Sequence, residues 1–128
     1  MTTVMTVDNS ASMRQIVVFT LRNAGYQVIE ADDGIQALNI AKNNKVDVVV
    51  TDLNIPGMDG INLIKQLRQL PSYKSTPMLM LSAETTAEKQ QESKLAGATS
   101  WLVKPFNPEH LFATIKKALQ LSEETTTD

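Results

Sequence analysis

The chain has 128 residues, 42% of them hydrophobic and 20% charged, with a formal net charge of -2. That composition is ordinary for one soluble globular domain and leaves little room for a second. The small net charge excludes a broad electrostatic pull toward nucleic acid or membrane, and the lack of cysteine excludes a disulfide framework, a thiolate nucleophile and a Cys metal site.

The N-terminus, Met1 to Asp8, carries no basic region and no long apolar stretch, so it does not read as a secretory signal. No segment holds the ~18 apolar residues that a membrane span needs. A cytoplasmic protein is the expectation.

Five short apolar strands alternate with five helical patterns. Strand one is read at about Thr3 to Val7, short and β-branched. Met13, Ile16, Val17, Phe19, Thr20 and Leu21 then recur at helical spacing, and Gly25 stops that helix. Strand two is Gln27 to Glu30. Asp32-Asp33-Gly34 opens helix two, with either acid as cap and a buried stripe of Ile35, Ala37, Leu38 and Ala41. Strand three is Val46 to Thr51, a β-branched run that ends on Asp52 before Pro56 and Gly57 break it into a loop. Helix three carries Ile61, Leu63, Ile64 and Leu67, with Asp59 as its expected cap. Strand four is Pro77 to Ser82. Helix four runs from about Ala87 to Ala96 with Ala87, Leu95 and Ala96 as its apolar anchors, so loose packing is expected. Strand five is Thr99 to Val103. Asn107-Pro108-Glu109 opens helix five, which buries Leu111, Phe112, Ile115, Ala118 and Leu119. Residues 1–121 form the domain, and residues 122–128 read as a polar, frayed tail.

Strict alternation predicts right-handed crossovers and a parallel sheet covered on both faces. The fold class is therefore α/β, a doubly wound five-stranded sheet of order 2-1-3-4-5 with five helices. In that sheet the ends of strands one, three, four and five are neighbours. They bring Asp8 and Asn9, Asp52 and Asn54, Ser82, and Lys104 to one pocket. Carboxylate and amide oxygens suit a hard divalent cation, most plausibly Mg2+. A lysine and a hydroxyl suit the oxygens of a transferring phosphoryl group. Asp52 is then a nucleophile that forms an acyl phosphate.

Five segments carry a resemblance: Val7-Asp8-Asn9-Ser10, Thr51 through Gly60, Leu81-Ser82-Ala83-Glu84, Ala96-Gly97-Ala98 and Lys104-Pro105-Phe106. Each is weak alone; in order and at these spacings they are specific. Over residues 2 to about 121 the chain resembles the receiver domain of bacterial response regulators, and within it the single-domain, CheY-like chemotaxis type of flavodoxin-like fold. The resemblance implies a phosphorelay switch rather than an enzyme on a separate substrate. It makes Asp52 the phosphoacceptor from a histidine kinase, and Asp8, Asn9, Asp52 and Asn54 the Mg2+ positions. Ser82 is implied as the switch hydroxyl, Lys104 as the phosphoryl partner and Trp101 as the switch aromatic. Asn54 and Glu84 hold the positions that tune phosphoryl lifetime. The resemblance also implies a cis Lys104–Pro105 bond, a monomer, and an output face of helix four, strand five and helix five. That face would act on a downstream protein, with a flagellar switch as one candidate.

Asn9 is a departure, because the family usually places two adjacent acids after strand one. Asn9 also has a plain reading as the cap of helix one. Asp32, Asp33 and Asp47 read as caps or solvated loop acids, His110 as a surface residue and the methionines as packing. Two rival functions remain at this point. One is a phosphorylation-independent interaction module with a decayed metal site. The other is a small phosphatase with an Asp nucleophile, which Asn54 disfavours because such an enzyme needs a second Asp there.

Overall fold

A computed structural model describes residues 2–83 and 86–126, with backbone alone over 121–126. In chain order the elements are β1 (Thr3–Val7), α1 (Ala11–Asn23), β2 (Gln27–Ala31), α2 (Gly34–Asn43), β3 (Val48–Asp52) and α3 (Gly60–Gln69). A short 3-10 turn (Pro71–Tyr73) follows, then β4 (Met78–Ser82), α4 (Ala87–Ala96), β5 (Ser100–Val103) and α5 (Pro108–Thr126). The strands form one parallel sheet of order β2-β1-β3-β4-β5, as the alternation predicts.

Successive strand residues point to opposite faces, and the two cores divide along that alternation. Met5, Val7, Val49, Met78 and Met80 face one side with Leu63, Ile64 and Leu67 of α3. Val4, Val48, Val50, Leu79 and Leu81 face the other with Val17 and Leu21 of α1 and Leu111 and Ile115 of α5. Burial on both faces is why these strands read as continuous apolar runs.

The caps follow the sequence, with one reassignment. Asp33 caps α2 through Gln36 N at 2.8 Å, and Asp59 caps α3 through Asn62 N at 2.8 Å. Helix α1 is capped by Ser10, which accepts from Met13 N, and not by Asn9. Asn9 is thereby released from any capping role.

Several expected buried positions face solvent. Ile16 and Phe19 on α1, Ile35 on α2 and Leu95 on α4 are exposed. Their helices are anchored at Val17, Val18 and Leu21, at Ala37 and Ala41, and at Ser93 and Ala96. Two helical residues apart means a rotation of about 200°, so Phe19, Ile35 and Leu95 lie opposite Val17, Ala37 and Ser93. The strand ends shift slightly. Strand β3 begins at Val48, because Asp47 instead braces Thr3 by exchanging bonds with its N–H and C=O, both 2.8 Å. The backbone of α5 continues to Thr126, beyond the expected end at 121. No Gly or Pro interrupts Ser122-Glu123-Glu124, and Glu is a good helix former.

Candidate functional site

Parallel pairing places the C-terminal ends of all five strands on one edge. Asp8 follows β1, Asp52 and Ser82 end β3 and β4, and Lys104 follows β5. Asp52 lies opposite Leu81, and Ser82 opposite Val103. The Lys104 N–H donates to the Ser82 carbonyl at 2.8 Å, which extends the β4–β5 ladder and fixes the root of the lysine. The Lys104–Pro105 peptide is cis.

The side chains converge. Lys104 Nζ lies 3.2 Å from Asp52 Oδ1 and 3.7 Å from Asp8 Oδ2. All three are sequestered: Asp8 retains 4% side-chain exposure, Asp52 13% and Lys104 18%. Asp8 Oδ1 accepts from Ser10 N at 2.8 Å, while Oδ2 is buried with no hydrogen bond among the described residues. Burial holds the Asp52 carboxyl above the usual carboxylate range. The Lys104 charge and hydrogen bond oppose that rise, and the Asp8 charge adds to it. Ser82 is fully buried beside this cluster.

The backbone under Asp52 is equally fixed. Thr51 Oγ1 donates to the Asp52 carbonyl at 3.0 Å, Leu53 N to the Leu81 carbonyl at 2.9 Å and Gly60 N to the Leu53 carbonyl at 2.8 Å. A Cβ on Gly60 would stand 2.5 Å from the Asp52 carbonyl oxygen, so only glycine lets α3 start this close to β3. Gly57, with φ of 85°, turns the loop between them.

Asn9 and Asn54 are exposed in the loops that follow Asp8 and Asp52. Trp101 is half-buried on β5 against the α2–α3–α4 side, and its Nε1 is buried without a hydrogen bond among the described residues. Glu84 lies outside the described residues. His110 and Asp59 sit where the plain readings put them, at the start of α5 and at the cap of α3.

Sequence reading missed Arg14. Its Nη1 donates to the Asp8 carbonyl at 2.6 Å and lies 2.9 Å from Asp32 Oδ1, and its Nε donates to Glu30 Oε1 at 3.0 Å. The signal was present, since a cation near the start of a helix opposes the macrodipole and needs a specific partner.

A metal would find hard oxygen donors here in the Asp8 and Asp52 carboxylates, and Asn9 and Asn54 lie in the adjoining loops. Among the described residues no group of three or more His, Cys, Asp or Glu is placed to hold a metal ion by itself. The orphaned Asp8 Oδ2 is the donor that a cation would complete. No helix among the described residues is long and apolar enough to cross a membrane.

Known proteins share this geometry. The chain is 42% identical over 117 residues to the chemotaxis protein CheY-3 of Vibrio cholerae, covering 91% of this chain and 87% of the relative. It is 36% identical over 118 residues to the chemotaxis protein CheY of Pseudomonas aeruginosa, covering 91% and 95%. The solved structure of the chemotaxis response regulator CheY4 of Vibrio cholerae superposes with a TM-score of 0.88 at 49% identity, covering 92% of this chain and 98% of that one. Receiver domains generally bind Mg2+ at the phosphorylation site and work as signalling switches, with a histidine kinase as phosphodonor and a downstream target. A sequence model matches residues 4–116, and with the strand order and the Asp8–Asp52–Lys104 cluster it places the chain in the response regulator receiver domain family.

Proposed function

We propose that the chain is a phosphorylation-switched receiver of the chemotaxis type, with Asp52 as its phosphoacceptor. The observation that carries this is the Lys104 ammonium held between the Asp52 and Asp8 carboxylates at the carboxyl edge of the sheet. A carboxylate oxygen of Asp52 attacks the phosphorus of a kinase phosphohistidine. The P–N bond breaks, and the departing imidazole nitrogen takes up a proton from solvent.

The products of that step are stabilised by residues already in place. The Lys104 charge offsets the incoming phosphoryl oxygens, and Ser82 bonds to them once its hydroxyl turns. Asp8, Asn9, Asp52 and the Asn54 carbonyl would hold Mg2+, which supplies charge neutralisation at the phosphoryl group when bound. Asn54 and Glu84 set how long the acyl phosphate survives. Recruitment of Ser82 opens space for Trp101 to move inward and reshape α4, β5 and α5 for a downstream target. The chemotaxis names of the relatives favour a chemotaxis kinase as donor, and the family resemblance adds a flagellar switch as candidate target and a cytoplasmic monomer.

The test is Trp101 fluorescence with Mg2+ and beryllofluoride or a small phosphodonor, run on wild type and Asp52→Asn. A metal-dependent change present in wild type and absent in the variant is expected, with phosphoprotein formed by wild type alone. Among the described residues two carboxylates, Asp8 and Asp52, meet Lys104, and a metal site one acid short of the family pattern at Asn9 favours a phosphorylation-independent module as the second reading. Silent fluorescence together with no phosphoprotein would select it. Membership of the receiver family leaves the phosphatase reading without support.

A further inference from the structure

We infer that Arg14 is a positioning residue for the cation site, acting through the backbone of Asp8. The inference rests on the reading of Asp8 as a metal ligand. Asp8 follows the last ladder residue of β1, so the sheet fixes its N–H but not its carbonyl. Its peptide is clamped from both sides. The Asp8 N–H donates to the Ala31 carbonyl at 3.1 Å, and the Asp8 carbonyl accepts from Arg14 Nη1 at 2.6 Å. With both peptide groups fixed, the Ser10 N–H orients the carboxylate through Oδ1 at 2.8 Å and leaves Oδ2 aimed into the pocket.

Arg14 does this only because it is itself held. Its side chain is 15% exposed; Glu30 on β2 accepts its Nε proton at 3.0 Å, and Asp32 in the loop after β2 forms an ion pair with Nη1 at 2.9 Å. Nη1 thus donates to the Asp8 carbonyl and pairs by charge with Asp32, while the Nε proton serves Glu30. A planar fork supplies donors along one rigid edge; an ammonium radiates them from one atom and cannot span the three acceptors. The two acids also more than cancel the guanidinium charge, so the clamp adds no net repulsion toward a cation. The pocket has few carboxylates, so the aim of each one counts for more.

The experiment is a Mg2+ titration of the full chain, read by Trp101 fluorescence and by the Ser10 amide resonance. The proteins are wild type, Arg14→Gln, Arg14→Lys, the double variant Glu30→Gln with Asp32→Asn, and Asp8→Asn as control. Asp8→Asn is expected to abolish binding. Arg14→Gln should weaken Mg2+ about tenfold, within the range for outer-shell partners of metal ligands. Arg14→Lys should remain weak, and the double variant should show a smaller loss. In metal-free Arg14→Gln the Ser10 amide should move upfield as its bond to Asp8 loosens. Wild-type affinity in Asp8→Asn would overturn the metal-site reading and this inference with it. Loss in Asp8→Asn with wild-type affinity in both Arg14 variants would overturn the inference alone. Full affinity in Arg14→Lys would do the same, since charge and not geometry would then be the cause. If Arg14→Gln fails to fold, Arg14→Lys and the double variant decide the matter.

Discussion

Lys104 Nζ lies 3.2 Å from Asp52 Oδ1, yet the Asp52 carboxyl still sits above its ordinary range. Burial therefore outweighs the lysine at this site, with the Asp8 charge acting in the same direction as burial. The native chain holds the Asp52 proton more tightly than the unfolded chain does. Stability from this group is present below the unfolded value and is lost as pH rises through the higher folded value. Without Mg2+, Asp52→Asn should melt above wild type at neutral pH, on the order of 3 °C. The gap should close in acid, once wild-type Asp52 is protonated. Thermal melts from acid to neutral pH check it; a wild type more stable than the variant at pH 7 would contradict the sign.

Lys104 also predicts a kinetic effect. Lys104→Gln removes the charge and side-chain hydrogen bond that hold Asp52 down, leaving burial and Asp8 opposed only by the Leu53 backbone hydrogen bond. The acidic limb of Asp52 phosphorylation by a small phosphodonor should move to higher pH. The acyl phosphate formed should also lose its cationic partner. A limb that stays in place would mean that Lys104 is screened from Asp52 in solution.

Asn9 sets the resting charge of the pocket. Asp8, Asp52 and Lys104 together leave one negative charge, and a divalent cation overshoots it by one. Asn9→Asp restores balance. It should tighten Mg2+ roughly tenfold, as ligand charge does in hard-cation sites. It should also lower the metal-free melting temperature, because a third carboxylate joins the like-charge cluster. A Mg2+ titration with no gain for the variant would rule out a metal contact at position 9.

Much of this site was legible in the sequence, and the reasons are physical. A polar residue ends or directly follows the apolar runs of β1, β3, β4 and β5, and a parallel sheet must gather those ends on one edge. Hence Asp8, Asp52, Ser82 and Lys104 could be grouped before any coordinates. The Arg14 clamp was not legible in the same way. Its acceptors lie on β2 and in the loop after it, and only the β1–β2 register, with Val7 opposite Ala31, brings them beside α1. Helix faces were misjudged for a related reason. Apolar residues such as Phe19, Ile35 and Leu95 satisfy a helical period on either side, and small residues such as Ala37, Ala41 and Ser93 carry the actual contact.

Gly60 is the tightest point under the phosphoacceptor. A methyl there would meet the Asp52 carbonyl at 2.5 Å, Met80 Sδ at 2.8 Å and Leu53 Cα at 3.1 Å. Met80 Sδ belongs to a flexible side chain, but the other two are backbone atoms that cannot give way independently. Gly60→Ala should cost about 2–3 kcal/mol, the range for overpacking a rigid site. It should also displace Asp52, so phosphorylation should fall more than stability predicts. Urea denaturation and a phosphodonor assay on the same preparation separate the two effects. A near-neutral change in both would mean that α3 shifts freely against β3.

Helix α4 carries the last prediction. It buries only Ser93 and Ala96, and Ser93 Oγ is enclosed with no hydrogen bond among the described residues. An unpaired buried hydroxyl costs free energy, and serine is a poorer helix former than alanine. Ser93→Ala should therefore raise stability by about 1 kcal/mol in a urea titration. The variant also bears on the switch. A gain confined to the resting packing of α4 biases the chain against any state in which α4 has moved. If the Ser93 hydroxyl stays unpaired in the phosphorylated state, the gain applies to both states, and the beryllofluoride-induced change at Trp101 keeps its midpoint. If the moved helix gives that hydroxyl a partner, the midpoint shifts to higher beryllofluoride by roughly fivefold, which is about 1 kcal/mol of differential stability. A loss of stability in Ser93→Ala would show that the hydroxyl is already satisfied at rest and that α4 is held by more than its two small buried residues.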